Sequence, residues 1–280
     1  MPETKRVVIG VDRGASFTDF GVVADGKLLA VESHAGRGWE EIGRVCDRLQ
    51  TAHRTDRIVF TGATAGMPEG IRERAVVVAE IDAIGFGGAA LAGLRECIVV
   101  SAGTGTAVVH FREGVARHVG GTGVGGGTIT GLGELICGIA DPCRLEEHAL
   151  AGDAAAVNLT LADLGYEGLS FLAGDVTASN FAAPKSRRVE DLSAAILRLV
   201  AETVGIVASL CAREQNCREH IVMAGKVSQN RYIRRVVEMV GKLYQTSFFF
   251  PDNPGYATVF GAVVNSGQHP MPSGARRCPT

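Results

Sequence analysis

Six glycines crowd the nine-residue stretch GGTGVGGGT, Gly120 to Thr128, and a second glycine-threonine cluster, Gly103-Thr104-Gly105-Thr106, begins seventeen positions before it. Glycine permits positive φ and lets a ligand approach where a Cβ would block it. Successive N–H groups in such turns converge into an anion-binding nest. A flexible linker is the alternative, but linkers are polar and fall at domain boundaries. These segments are bounded instead by the apolar run Cys97 to Val100 and by helically spaced apolar residues from Ile129 to Ile139. Two such loops therefore suggest a polyphosphate cradle, with threonine hydroxyls added to the backbone donors.

With 280 residues and 46% hydrophobic content, the chain can build one large core or two lobes. A net charge of -2 lacks the basic stripe that displaces phosphate counterions, so no nucleic-acid partner is expected. The seven cysteines form no CxxC pair, and their odd count and scatter argue for reduced thiols. The opening MPETKRVVIGVDRG has too short an apolar run for a signal peptide. No segment reads as the ~20 apolar residues of a membrane helix. The expectation is a cytoplasmic protein with no membrane partner.

The pattern predicts strands at Arg6–Val11, Phe17–Ala24 and Leu28–Glu32, joined by a turn at Gly14–Ser16 and an Asp25-Gly26 turn. A helix over Trp39–Leu49, a short strand Arg57–Phe60 and a small-residue helix Ala83–Leu94 follow. The plan then repeats, with strands Cys97–Val100, Ala107–Phe111 and Ala116–Val119 around a Gly-Thr turn and a Glu113-Gly114 turn. A long helix from Val189 to about Ala212, a strand His220–Ala224, a helix Arg231–Tyr244, a strand Thr246–Phe250 and a helix Ala257–Val264 complete the second copy. Expected boundaries are an N-terminal lobe over 1–95, a C-terminal lobe over 96–265 and a loose tail over 266–280. Duplicated, ribonuclease H-like βββαβα halves with a glycine turn in each copy resemble the α/β architecture of the actin, hexokinase and Hsp70 superfamily, whose lobes clamp nucleotide phosphates.

Five ordered motifs make the resemblance more specific: VIGVDRGAS at Val8–Ser16, EIDAIGFGG at Glu80–Gly88, SAGTGTA at Ser101–Ala107, VGGTGVGGGTITGLG at Val119–Gly133 and LAGDVTASNF at Leu172–Phe181. Together they resemble a type II pantothenate kinase from about Val8 to Val264. The resemblance implies ATP and Mg²⁺ as cofactors, pantothenate or a similar alcohol as acceptor, and a homodimer paired through long helices. Leu197, Val200, Val204, Val207 and Leu210 offer an apolar stripe for such pairing, or one that faces the core.

Phosphoryl transfer needs a metal on the phosphates, donors for their oxygens and a group that orients the attacking hydroxyl. Asp12 is the expected metal residue, acting through coordinated water. Glu80, placed at a strand end, is implied as general base on the primary hydroxyl, with Asp82 assigned to the helix dipole. Gly14 and Ser16, then Gly103, Thr104, Gly105 and Thr106, then Gly121, Thr122, Gly123, Gly125, Gly126 and Gly127 form the expected triphosphate cradle, with Gly225 in a turn beside adenine. Asp175, Thr177, Ser179 and Asn180 lie near the site by resemblance, or cap a short helix.

Several positions depart from the family pattern. The arginine usual before Val119 is replaced by His118, with Arg117 one residue earlier and on the opposite strand face. Ala15 stands at a glycine position, Asp19 where lysine is common, and Met223-Ala224-Gly225-Lys226 where glycine and serine prevail. These changes leave open a kinase of another small alcohol, such as an amino sugar. A nucleotide-binding regulator or ATPase activator is the alternative from another class. Such activators hold an iron-sulfur cluster, for which Cys137 and Cys143 form only a loose pair, and small apolar packing on helices is the preferred reading of both.

Overall fold

A computed structural model describes residues 6–36, 38–166, 168–169 and 172–267; the expected tail therefore lies, beyond Gly267, outside the described residues. In the first lobe, β1 (Val7–Arg13), β2 (Phe17–Ala24) and β3 (Lys27–Ala35) form an antiparallel meander, and β4 (Ile58–Gly62) and β5 (Ala75–Val77) add in parallel. The sheet order is β3-β2-β1-β4-β5. Helix α1 (Trp39–His53) covers one face, burying Ile42, Val45, Cys46 and Leu49 against Ile9, Val11 and Phe60. The short α2 (Glu69–Arg72) and then α3 (Glu80–Ala92) follow.

The second lobe repeats this order with β6 (Glu96–Ala102), β7 (Thr106–Arg112), β8 (Val115–Thr122), β13 (Ile221–Ala224) and β14 (Phe248–Phe249), arranged β14-β13-β6-β7-β8. The duplication extends to the hairpin tips. Asp25-Gly26 (φ 52°, 71°) and Glu113-Gly114 (φ 47°, 84°) both take the left-handed pair that matches strand twist. Between β8 and β13 the second copy carries α4 (Gly126–Leu132), a π-helical turn Gly133–Cys137, α5 (Pro142–Ala151), the short strands β9 (Leu159–Thr160), β10 (Gly168–Leu169), β11 (Leu172–Ala173) and β12 (Thr177–Ser179), and the 26-residue α6 (Val189–Glu214). Helices α7 (Arg231–Tyr244) and α8 (Ala257–Asn265) close the chain.

The closing helices are exchanged between the lobes. Ile84 and Ala89 of α3 pack on Val99, Val109, Phe111 and Val222 of the second sheet, while Phe260, Val263 and Val264 of α8 pack on Val8, Val23 and Val59 of the first. Gly10 and Gly21 admit this approach, since a Cβ at either would stand 2.8 or 2.7 Å from Val259 Cγ1. The expected division at residue 95 follows the chain, whereas the packing interleaves the two lobes.

Helix α6 decides between two readings of its apolar stripe and corrects a second expectation. Leu197, Val200 and Val204 are buried in the core of the second lobe, so most of the proposed pairing stripe faces inward. Val207 is half-buried against that core, while the apolar residues of α6 left partly exposed include the half-buried Leu199 and Ile206 and the exposed Leu210. This helix is also long and apolar enough to cross a membrane by length and composition, although 61% of its most apolar window is buried in protein. That burial marks a core helix.

Candidate active site

Three polar side chains form a row across the first sheet at the cleft. Asp12 of β1 pairs in register with Asp19 of β2 on one side and with Thr61 of β4 on the other. Strand alternation sets all three on the face of Gly10, Gly21 and Val59, which α8 covers lower down. Asp12 Oδ1 and Thr61 Oγ1 are buried without a hydrogen-bond partner. Burial, reinforced by the charges of Asp19 and Glu80 and opposed by Lys226, pushes the Asp12 carboxyl up to about 7. An orphaned carboxylate oxygen in such surroundings fits a cation that the protein does not itself supply. Among the described residues no three His, Cys, Asp or Glu side chains are grouped to hold a metal alone.

The β1–β2 turn closes through Gly14 N–H donating to Phe17 O at 2.9 Å. Ala15 is exposed and lies outside the positive-φ region, so its methyl is accommodated without strain. Ser16 reaches across the cleft to Thr104, with 3.0 Å between the two hydroxyl oxygens. The phosphate-loop candidates of both lobes thus touch.

The two glycine segments are packed on each other. Gly126 N–H donates to Gly103 O at 2.7 Å, Gly127 N–H to Thr104 O at 2.9 Å and Gly103 N–H to Gly105 O at 2.9 Å. A Cβ on Gly125 would lie 2.8 Å from the carbonyl oxygens of Thr104 and Gly105. Thr106 Oγ1 donates to Val124 O at 2.8 Å, and Thr122 Oγ1 accepts from Val124 N–H at 3.2 Å. Much of the donor set expected to face phosphate therefore fixes the cradle's own shape. Helix α4 begins at Gly126, within the second glycine segment.

Glu80 is the first residue of α3 and exposed, not a strand-end residue; β5 stops at Val77. Its charge helps to raise the Asp12 carboxyl, so the two carboxylates lie within electrostatic reach of each other. On β8, Ala116 packs against α3 at Gly85, where a Cβ would come within 2.6 Å of the Ala116 Cβ. Alternation puts His118, opposite Val109, on that α3 face and Arg117, opposite His110, on the other. A bulge at Val119 then shifts the pairing, so that Gly120 faces Val108.

Thr177 and Asn180 are tied to α6. Thr177 Oγ1 donates to Glu202 Oε1 at 2.8 Å, Asn180 Nδ2 to Glu202 Oε2 at 3.3 Å, and Arg198 Nε to Glu202 Oε1 at 2.8 Å. Arg198 also donates to the Asp175 carbonyl at 2.9 Å. The segment is strand β12 and turn rather than a capped short helix. Cys137 is half-buried beside Ser193, but Cys143 is exposed at the start of α5, so only the first fits apolar packing.

Gly225 (φ 84°) lies against β6, where a Cβ would meet Ala102 O at 2.3 Å. That turn delivers Lys226, which sequence reasoning treated only as a departure beside adenine. Its ammonium pairs with Asp19 Oδ1 at 2.7 Å and donates to Ser33 Oγ at 2.6 Å. Thr61, the third member of the row, carried no local motif either.

Two duplicated lobes that meet at a hydroxyl contact between Ser16 and Thr104, beside the Asp12 carboxylate, have the fold of the actin, hexokinase and Hsp70 class. The sequence profile of the Fumble family matches residues 94–265. The chain belongs to that family, the type II pantothenate kinases. The type II pantothenate kinase of Staphylococcus haemolyticus (strain JCSC1435) is 28% identical over 261 residues, covering 87% of this chain and 98% of the relative. That of Staphylococcus aureus (strain NCTC 8325 / PS 47) is 29% identical over 219 residues, covering 74% and 82%. Solved structures share the fold. The activator of the 2-hydroxyisocaproyl-CoA dehydratase from Clostridium difficile, with bound ADPNP, superposes with a TM-score of 0.62 at 14% identity over 94% of this chain and 95% of its own. A ROK family glucokinase from Streptomyces griseus, in complex with glucose and AMPPNP, gives 0.60 at 16% identity over 91% and 97%.

Proposed function

We propose that this protein is a cytoplasmic, ATP-dependent kinase of the primary hydroxyl of pantothenate, the first step of coenzyme A biosynthesis. The observation that carries this reading is the electrostatic reach between Asp12, with its orphaned oxygen, and the exposed Glu80, beside the Ser16–Thr104 contact. Asp12 would hold Mg²⁺ through its waters, and that ion supplies charge neutralisation on the phosphates. Ser16 and Thr104 donate hydroxyl hydrogens to phosphate oxygens from opposite lobes. Glu80 accepts the proton of the attacking hydroxyl as the new O–P bond forms and the bond to the departing ADP breaks. Proton removal comes late in such a transfer, which suits a carboxylate that stays solvated.

His118 on the α3 face, with Arg117 turned away, favours one second reading: a small alcohol acceptor other than pantothenate. ADP release with Mg-ATP and pantothenate, beside amino sugars and pantetheine, tests both in wild type and Glu80→Gln. Pantothenate-dependent turnover that collapses in the variant supports the kinase and its base. Turnover with another alcohol replaces the acceptor, and nucleotide binding with no acceptor-dependent turnover sinks the kinase reading in favour of a regulator. Pairing of two copies through the partly exposed apolar residues of α6 belongs to the same proposal, and sedimentation measures it.

A further inference from the structure

Lys226 belongs to the second lobe, yet its ammonium lies in the first. Besides Asp19 and Ser33 it sits 4.0 Å from the centroid of the Phe17 ring, so three residues of β2 and β3 receive it. The Gly225 turn, fixed by φ 84° and by its contact with Ala102, sets the point from which the side chain crosses the cleft. Asp19 is 8% exposed and Thr61 0%. Asp19 is the register neighbour of Asp12, and Thr61 flanks Asp12 on the other side. Two carboxylates and a hydroxyl thus share one face of three adjacent strands, and Asp12 Oδ1 and Thr61 Oγ1 lack any hydrogen bond. One ammonium, paired with Asp19, only partly offsets the charge at the Asp12 end. A hard divalent ion with oxygen ligands and retained waters matches that donor set.

We propose that Asp19 is a second carboxylate of the metal–phosphate site, and that Lys226 is its resident counter-cation, displaced when a hydrated divalent ion enters. The inference rests on the reading of Asp12 as the metal residue and assumes nothing about the acceptor. Lys226 and the metal then compete for the same oxygens, so filling the metal site loosens one clasp between the lobes and frees an ammonium beside the phosphates. A permanent ion pair is the competing account. It requires that removing Lys226 leave a buried carboxylate unpaired without any gain in metal binding.

The test is Mn²⁺ affinity, by paramagnetic resonance of the free ion, at saturating non-hydrolysable ATP analogue in wild type, Asp12→Asn, Asp19→Asn and Lys226→Met. Asp19→Ser serves as a second variant should the amide disturb folding. Small-angle scattering without metal reads the separation of the lobes. We expect Asp19→Asn to weaken Mn²⁺ about tenfold. Lys226→Met should tighten it severalfold and enlarge the metal-free particle. Affinity within twofold of wild type in both Asp19 variants, or weaker Mn²⁺ binding in Lys226→Met, overturns the proposal. Wild-type affinity in Asp12→Asn, or no Mn²⁺ binding by wild type, removes the metal reading of Asp12 and this inference with it. Loss in Asp12→Asn with retention in both Asp19 variants removes this inference alone.

Discussion

Gly87 and Gly261 meet where α3 crosses α8, in equivalent surroundings. A Cβ on Gly87 would stand 1.9 Å from the carbonyl oxygen of Ala257, and one on Gly261 would stand 1.9 Å from that of Ala83. Each helix contributes an alanine and, four residues on, a glycine, so the backbones touch about a local two-fold axis. Neither carbonyl can yield as a side chain would. Gly87→Ala and Gly261→Ala are each expected to cost about 1–3 kcal/mol or more, and chemical denaturation measures both losses. Similar losses at the two positions are expected, because each methyl strikes the equivalent atom.

Asp12 gives the ligand-free protein a pH dependence of definite sign. Its carboxyl titrates near 7 in the folded state, whereas an unfolded aspartate titrates near ~3.9. Between those values the native state binds more protons than the unfolded one, so stability falls as pH rises through that window. Without divalent ions, wild type should melt lower at pH 8 than at pH 5, and Asp12→Asn should flatten this slope. If the slope is the same in Asp12→Asn, another group produces it.

Glu80 is exposed at the first position of α3, and no side chain caps that helix from Ala79. Glu80→Gln keeps size and helix start, so the melting temperature should stay within a degree or two. Under the proposed role, kcat should fall by about 10²–10⁴ with little change in KM for ATP. Equal loss across all acceptors would place the effect on the chemical step.

Glu202 gathers Thr177, Asn180 and Arg198, whose side chain is 13% exposed in its pair with Glu202. Glu202→Ala leaves the guanidinium with only the Asp175 carbonyl and strands two donors, at an expected cost of about 2–4 kcal/mol. Thr177→Val removes one donor alone and should cost about 1 kcal/mol. A change in acceptor KM in Thr177→Val, with melting little altered, would show that this segment also serves the cleft.

The meanders and hairpin turns were legible because period-two patterning and the Asp-Gly and Glu-Gly pairs are local signals. Helix α3 begins at Glu80 rather than Ala83, since Ala79 offers no capping side chain to mark the start. The helical spacing up to Ile139 overran a π-helical turn that Gly138 ends at φ 66°. Strand β5 has three residues, and β9 to β11 have two each, too few for alternation to register. At the site, Asp12 and the glycine loops stood out as motifs. Lys226 did not, because Ser33 is 193 residues away in the chain and only the contact between the lobes joins them.

The extra residue at Val119 works as a phase shift. Upstream, Ala116 and His118 keep step with Phe111 and Val109, and the strand presents them to α3. Downstream, the count against β7 is offset by one, so Thr122 arrives opposite Thr106, whose hydroxyl holds the loop at Val124. A single strand thereby runs two independent schedules, one for the face toward α3 and one for the glycine platform. Substitutions at 116–118 can retune the first without moving the second, while loss of one residue at the bulge would slide the platform by a full position along its neighbour.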